Sequence, residues 1–194
     1  MSASVRMTQI AGAKLDELNR RLANVSAYGG NGSAVFHAVY DALKRAMSRG
    51  QREGPAFAAA RYSISEAVAR SRVSAKMKIE GGSGGVAGAY LNFAGRVIPL
   101  IEFENSAGSG GVNAHIRADS GGGEIAGSWY GHLPTMQIAR RLGPPRFPVE
   151  ILYGPSVPQM ISNEGVSTEM SDNMMGVFVE RMDHEMMRIL NGFL

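Results

Sequence analysis

Ser156 lies in the run Gly154-Pro155-Ser156-Val157-Pro158, and a glycine two residues ahead of a serine invites the reading of a nucleophile elbow. An elbow needs Gly-x-Ser-x-Gly, because a sharp strand-to-helix turn must lift the hydroxyl clear of the backbone. Pro158 stands where the last glycine belongs, and Pro155 constrains the turn itself. Ser156 therefore fits a helix cap or a turn better than a nucleophile. Glu102 and Glu104 are spaced to share one strand face, but no third group completes an acid–base site with them. The histidines His37, His115, His132 and His184 have no metal-ligand spacing, and His184-Glu185 lacks the second histidine of a helical zinc site. With no cysteine in 194 residues, thiol chemistry, disulfides and cysteine–zinc sites drop out together. The clusters Gly81–Gly85, Gly108–Gly111 and Gly121–Gly123 lack the Lys and Ser/Thr that follow a phosphate loop. They read as flexible hairpin tips that order against a partner. No catalytic constellation emerges, and neither cofactor nor metal is expected.

The elements that must position these residues fall into an α+β arrangement within a single domain. Residues 1–32 read as an N-terminal helical arm, with Ile10, Leu15, Leu18 and Leu22 near helical spacing and Gly29-Gly30-Asn31-Gly32 ending it. Residues 33–72 read as helices. Ser33 caps the first, whose apolar stripe is Val35, Phe36, Val39, Tyr40, Leu43 and Met47, and Gly50 to Pro55 stops it. A further segment starts at Ala56 or Ser65 and runs to Arg72.

Residues 73–153 read as a central antiparallel β-sheet with glycine-rich hairpin loops. Its strands are expected over 75–79, 89–93, 97–103, 112–118, 123–130 and 149–153, with Pro99 marking an edge or a bulge. Residues 155–194 read as a long C-terminal helix packed on the sheet. Val166, Met170, Met174, Val177, Phe178, Met182, Met186, Ile189, Leu190 and Phe193 recur every three or four residues, and Ser167 or Thr168 caps the start. Asp172, Glu180, Asp183 and Glu185 take its other faces. Met175 and Met187 fall off the main stripe, which suggests adaptable contacts with a neighbouring subunit.

Charge is distributed unevenly about a net +3. Residues 1–79 carry 13 Lys/Arg against 5 Asp/Glu, and residues 80–194 carry 7 against 12. A basic half and an acidic half attract one another between subunits, or the basic half faces nucleic acid. A DNA-binding module using the basic N-terminal half is accordingly the alternative function. No apolar run approaches the roughly 18 residues of a membrane span. The first twenty residues lack the apolar core of a secretory signal, so synthesis in the cytoplasm is expected, with no membrane partner. Arg140, Arg141 and Arg146 flank Gly143-Pro144-Pro145 and suit a loop that clamps an acidic partner surface.

The run Arg146-Phe147-Pro148-Val149-Glu150-Ile151-Leu152-Tyr153-Gly154-Pro155-Ser156-Val157-Pro158-Gln159-Met160 also works mechanically as a strand-to-helix hinge. Val149, Ile151 and Tyr153 share a strand face, Gly154-Pro155 ends the strand, and Pro155 or Pro158 suits a first helical turn. This run resembles the signature of the bacteriophage minor tail protein Z family, Arg-x-Pro-[IV]-x-x-Leu-x-Gly-Pro-Ser-Val. Arg146, Pro148, Leu152, Gly154, Pro155, Ser156 and Val157 carry the match.

Tyr62-Ser63-Ile64, Val97-Ile98-Pro99-Leu100-Ile101-Glu102-Phe103, Gly111-Val112-Asn113-Ala114 and the helix from Arg181 to Leu190 line up in the same order. The resemblance spans roughly residues 35 to 192. The sequence departs from the family where relatives carry a glycine-histidine and phenylalanine pattern, reading Gly131-His132-Leu133-Pro134 instead. The resemblance implies a structural virion protein, not an enzyme, that completes the tail at its head-proximal end as part of the neck. It further implies a homo-oligomeric ring, hexameric by tail symmetry. The ring would meet tail terminator and head–tail connector proteins and touch DNA non-specifically in its lumen.

Overall fold

The computed structural model describes residues 2–6, 32–82 and 85–190. Helices and antiparallel strands occupy separate stretches, so the fold is α+β. The strands are β1 (Ser2–Arg6), β2 (Val73–Gly82), β3 (Gly85–Gly95), β4 (Val97–Pro99), β5 (Glu104–Ala107), β6 (Gly111–His115), β7 (Gly123–Ala126), β8 (Ser128–His132), β9 (Met136–Arg141), β10 (Val149–Ile151) and β11 (Tyr153–Ser156). The helices are α1 (Gly32–Arg61), α2 (Glu66–Ser71), α3 (Val157–Ile161) and α4 (Glu164–Leu190), with a 3-10 turn over Leu100–Glu102. Among the described residues the strands form four small sheets in place of one central sheet, ordered β1-β3-β2, β5-β6-β7, β10-β9-β8 and β11-β4.

Ser2–Arg6 forms a strand beside β3, which corrects the helical reading of those residues; the rest of the expected arm, 7–31, lies outside the described residues. The tip at 83–84 lies outside them too. Helix α1 begins at Gly32, one residue ahead of the expected cap Ser33, and runs unbroken through Gly50 and Pro55 for 30 residues. The expected stop fails because packing outweighs local propensity. Ala38, Ala42, Ala46, Gly50, Gly54 and Ala58, spaced four apart, are all buried. A β-carbon on Gly50 would lie 2.3 Å from Met174 Sδ, so the absence of a side chain lets α4 approach α1 closely. Of the larger residues expected on that face, Met47 is buried, Val39 and Leu43 are half-buried and Tyr40 is exposed. The Val35 and Phe36 side chains lie outside the described set.

Alternation in β2 holds, with Val73, Ala75, Met77 and Ile79 half-buried and Ser74, Lys76, Lys78 and Glu80 exposed. The expected strand over 97–103 stops at Pro99, since proline has no N–H to continue the ladder, and turns through Leu100–Glu102. Glu102 therefore leaves the strand face expected for it and pairs with Arg72 at 3.0 Å. The stretch 123–130 is two strands, parted at Gly127, whose φ of 70° suits glycine. Strand β9, unforeseen in the sequence, pairs with both β8 and β10.

Helix α4 starts at Glu164, earlier than Ser167 or Thr168, with Asn163 Oδ1 accepting from the Gly165 N–H at 3.2 Å. It buries Val166, Met170, Met174, Met175, Phe178 and Met182. Glu185 is buried too, contrary to its expected place on a wet face, and receives Arg181 at 2.7 Å and Arg188 at 2.8 Å.

The chain divides into two compact units. The first takes Met1–Ala3, Gly54–Ser74 and Phe93–Val166, and the second takes Ser4–Glu53, Ala75–Asn92 and Ser167–Leu194. Polar pins lock the small sheets of the first. The buried Ser128 hydroxyl donates to the Ile125 carbonyl at 2.6 Å and accepts the Val112 N–H at 2.9 Å. Tyr130 donates to Asn105 Oδ1 at 2.8 Å. Backbone bridges Tyr62–Arg117 and Ile64–Phe103 tie the segment after α1 to the same strands.

Candidate functional site

The Arg146–Met160 run divides into a buried corner and an exposed tip, both within the first unit. At the corner the chain changes sheets. Val149–Ile151 pairs with β9, whereas Tyr153–Ser156 pairs with β4. Leu152 makes the switch, donating its N–H to the Ile138 carbonyl at 2.9 Å and accepting from the Leu100 N–H at 2.9 Å. The strand thus continues past Gly154-Pro155, correcting the sharp stop expected there, and shifts register between Gly154 and Ser156. Gly154 is buried against Phe103, which leaves no room for a side chain. Pro155 is half-buried.

Helix α3 follows at once. Ser156 takes the N-cap position, as its residue type suggested, and its N–H and hydroxyl both donate to Gln159 Oε1, at 2.8 and 3.0 Å, Gln159 reaching back to the start of the helix. Val157 and Pro158 fill the first turn, where proline loses no helix hydrogen bond, and both are buried. Ser156 has no exposed surface, and its hydroxyl proton is committed to Gln159.

Between β9 and β10 the chain forms a tip over 142–148, closed by the Leu142 N–H donating to the Pro148 carbonyl at 3.2 Å. Leu142 is 60% exposed and Phe147 is 68% exposed. Three arginines lie in or next to this stretch of chain. Arg146 lies 5.8 Å from the Phe147 ring centroid, and Arg141 lies 5.7 Å from that of Trp129. Arg140 reaches its cross-strand neighbour Glu150 at 3.1 Å.

Arg140 and Arg141 end β9 just ahead of the tip, on opposite faces of the strand, and Arg146 lies within the tip, while Leu152, Gly154, Ser156 and Val157 lie in the corner that follows. Leu142 escaped notice in the sequence because a single apolar residue beside Gly-Pro-Pro carries no periodic signal. The two proposed interface methionines part company. Met187 is 58% exposed, but Met175 is only 5% exposed and is a core residue, because α4 buries more than one face.

The histidines are not gathered: His37, His132 and His184 are exposed and His115 is half-buried. Among the described residues no three His, Cys, Asp or Glu side chains form a group able to hold a metal ion. No described helix is long and apolar enough to cross a membrane. Set against models of known protein families, curated proteins and solved structures, the chain matches none.

Proposed function

We propose that this chain is a structural virion protein of a tailed bacteriophage, a tail-completion or neck subunit at the head-proximal end of the tail, and not an enzyme. The observation that carries the reading is the tip over 142–148. Leu142 and Phe147 stand in water at the end of a tightly braced sheet, beside Arg141 and Arg146. Burying each of two such side chains is worth about 1.5–3 kcal/mol, which an isolated chain forgoes and an assembled one gains. The signature resemblance in Arg146–Val157 supplies the setting, since those residues build the corner beneath the tip.

A ring of copies needs a head-to-tail contact between unlike surfaces. The basic tip offers one surface. Asp172, Glu180 and Asp183, exposed on α4, offer its complement. The partners are further copies of the chain, in a hexameric ring, together with the tail terminator and head–tail connector proteins. The site of action is the virion neck, reached after synthesis in the host cytoplasm.

Deleting the protein tests the reading. Tails made without it are expected to fail at joining heads and to give no infectious particles, and imaging of complete virions is expected to find it at the head–tail joint. Normal infectivity after deletion would overturn the assignment.

A further inference from the structure

Within the second unit, α1 and α4 enclose an open cleft of about 430 Å³ lined by Asp41, Lys44, Arg45, Ser48 and Arg181. The four α1 residues recur at spacings of three and four and so share one helix face. Three of the five side chains are cations. Among the described residues Lys44 and Arg45 make no ion pair. Arg181 shares the single carboxylate of Glu185 with Arg188, so its charge is only partly compensated. Ser48 donates to the Lys44 carbonyl at 2.7 Å and shapes the floor of the cleft.

Among the described residues no aromatic ring lines the cleft to stack on a base. Its three cations suit phosphate oxygens, with Asp41 the single carboxylate among the five lining residues. The positive charge also continues beyond the cleft. Arg49 and Arg52 follow along α1, both pairing with Glu53, at 2.6 and 3.6 Å. From Lys44 to Arg52 the basic row runs about 12 Å along the helix at 1.5 Å per residue. That is longer than one phosphate and matches a chain of them.

We infer that the Lys44–Arg45–Arg181 cleft binds the phosphodiester backbone of nucleic acid without reading its sequence. The inference rests on the neck reading for its setting, because it names the contact that a subunit around the DNA path would make.

The test uses the full chain, mixed-sequence duplex DNA and inorganic phosphate. Binding is expected to be equal for unrelated sequences and to weaken with salt, log affinity falling against log salt with a slope of about −2.7 for three phosphates. Lys44→Gln with Arg45→Gln, both at exposed positions, is expected to cut affinity at least tenfold and to reduce the slope by about 1.8. Arg45→Gln alone, expected to lose about 0.9 of slope, serves if the double variant folds poorly.

Absence of duplex binding by the native chain overturns the inference. So does an unchanged slope in the variants, which would move the contact elsewhere, or binding of inorganic phosphate without binding of duplex. None of these results alters infectivity after deletion, so the neck reading stands or falls separately.

Discussion

Gly154 stands so close to Phe103 that a β-carbon on it would lie 2.5 Å from ring atom Cε2 and 2.8 Å from Cζ. Phe103 is itself 3% exposed and anchored by the Ile64 bridge, so the ring has nowhere to retreat. Gly154→Ala is therefore expected to destabilise the protein by about 1–3 kcal/mol through overpacking. A fall in Tm of roughly 2–4 °C per kcal/mol should follow. An unchanged Tm would mean that the corner is looser than this contact requires.

Gly50 meets a different neighbour. Its β-carbon would overlap Met174 Sδ at 2.3 Å, with Cγ and Cε at 3.0 Å. Methionine is the most adaptable of core side chains, and alanine gains about 1 kcal/mol over glycine inside a helix. Gly50→Ala is expected to cost less than Gly154→Ala. Met174→Ala alone should cost about 2–5 kcal/mol. The pair together should cost less than the sum of the singles by at least about 0.5 kcal/mol, because each substitution relieves the other. Chemical denaturation of the four proteins measures this, and strict additivity would contradict the contact.

Ser156→Ala removes one of the two donors to Gln159 Oε1 and is expected to cost about 0.5–1.5 kcal/mol, the net worth of one hydrogen bond. Ser156→Thr should recover part of it. An active-site serine probe is expected to leave Ser156 unlabelled in the native protein, since its hydroxyl is buried. Labelling at that residue would revive a hydrolase.

These contrasts show what local sequence can carry. The start of α3 at Ser156–Pro158 was legible because serine and proline declare their backbone geometry in the residues themselves, whereas the change of sheet at Leu152 was not. The alternation of β2 and the periodicity of α4 were legible for the same reason: one buried face repeats along the chain. Strand β9 was not, because only Ile138 and Ala139 are buried in it, side by side, and it ends on Arg140-Arg141. Nor was the continuity of α1 through Gly50–Pro55, which depends on a partner, Met174, far along the chain. Met175 was misassigned to an interface because its burial follows from how many neighbours surround α4. The α1–α4 cleft was invisible for a like reason, since Lys44-Arg45 and Arg181 meet only after folding.

Asp119 accepts from Arg117 Nε at 2.8 Å and from Nη2 at 2.6 Å. That hydrogen bonding holds the Asp119 carboxyl below the ordinary aspartate value of 3.8. A carboxyl lowered in the folded state contributes stability that is present above the unfolded value and lost as pH falls through the folded one. The window lies from 3.8 downward, and both groups are exposed, so the contribution is small. Arg117→Gln is expected to return the Asp119 titration, followed by NMR, to the ordinary range. A titration that does not move would show that the pair is not formed in solution.

The tip tests assembly without testing folding. Leu142, Phe147, Arg141 and Arg146 are exposed, so changing them should alter stability by no more than about 0.5 kcal/mol. Replacing Leu142 and Phe147 together by serine removes the apolar contact. Replacing Arg141 and Arg146 together by glutamate reverses the charge that a neighbouring α4 would meet. Both double variants are expected to keep the native Tm and circular dichroism and to lose incorporation into particles, with a loss of infectivity of at least tenfold.

Charge separates the self-contact from a contact with other proteins. Lysine at Asp172, Glu180 and Asp183 should restore assembly to the glutamate variant, because the reversed tip again meets an opposite surface. Native incorporation of the Leu142/Phe147 variant would remove the tip from the interface. Incorporation lost but never rescued by the reversed α4 face would assign the tip to a contact with a different protein.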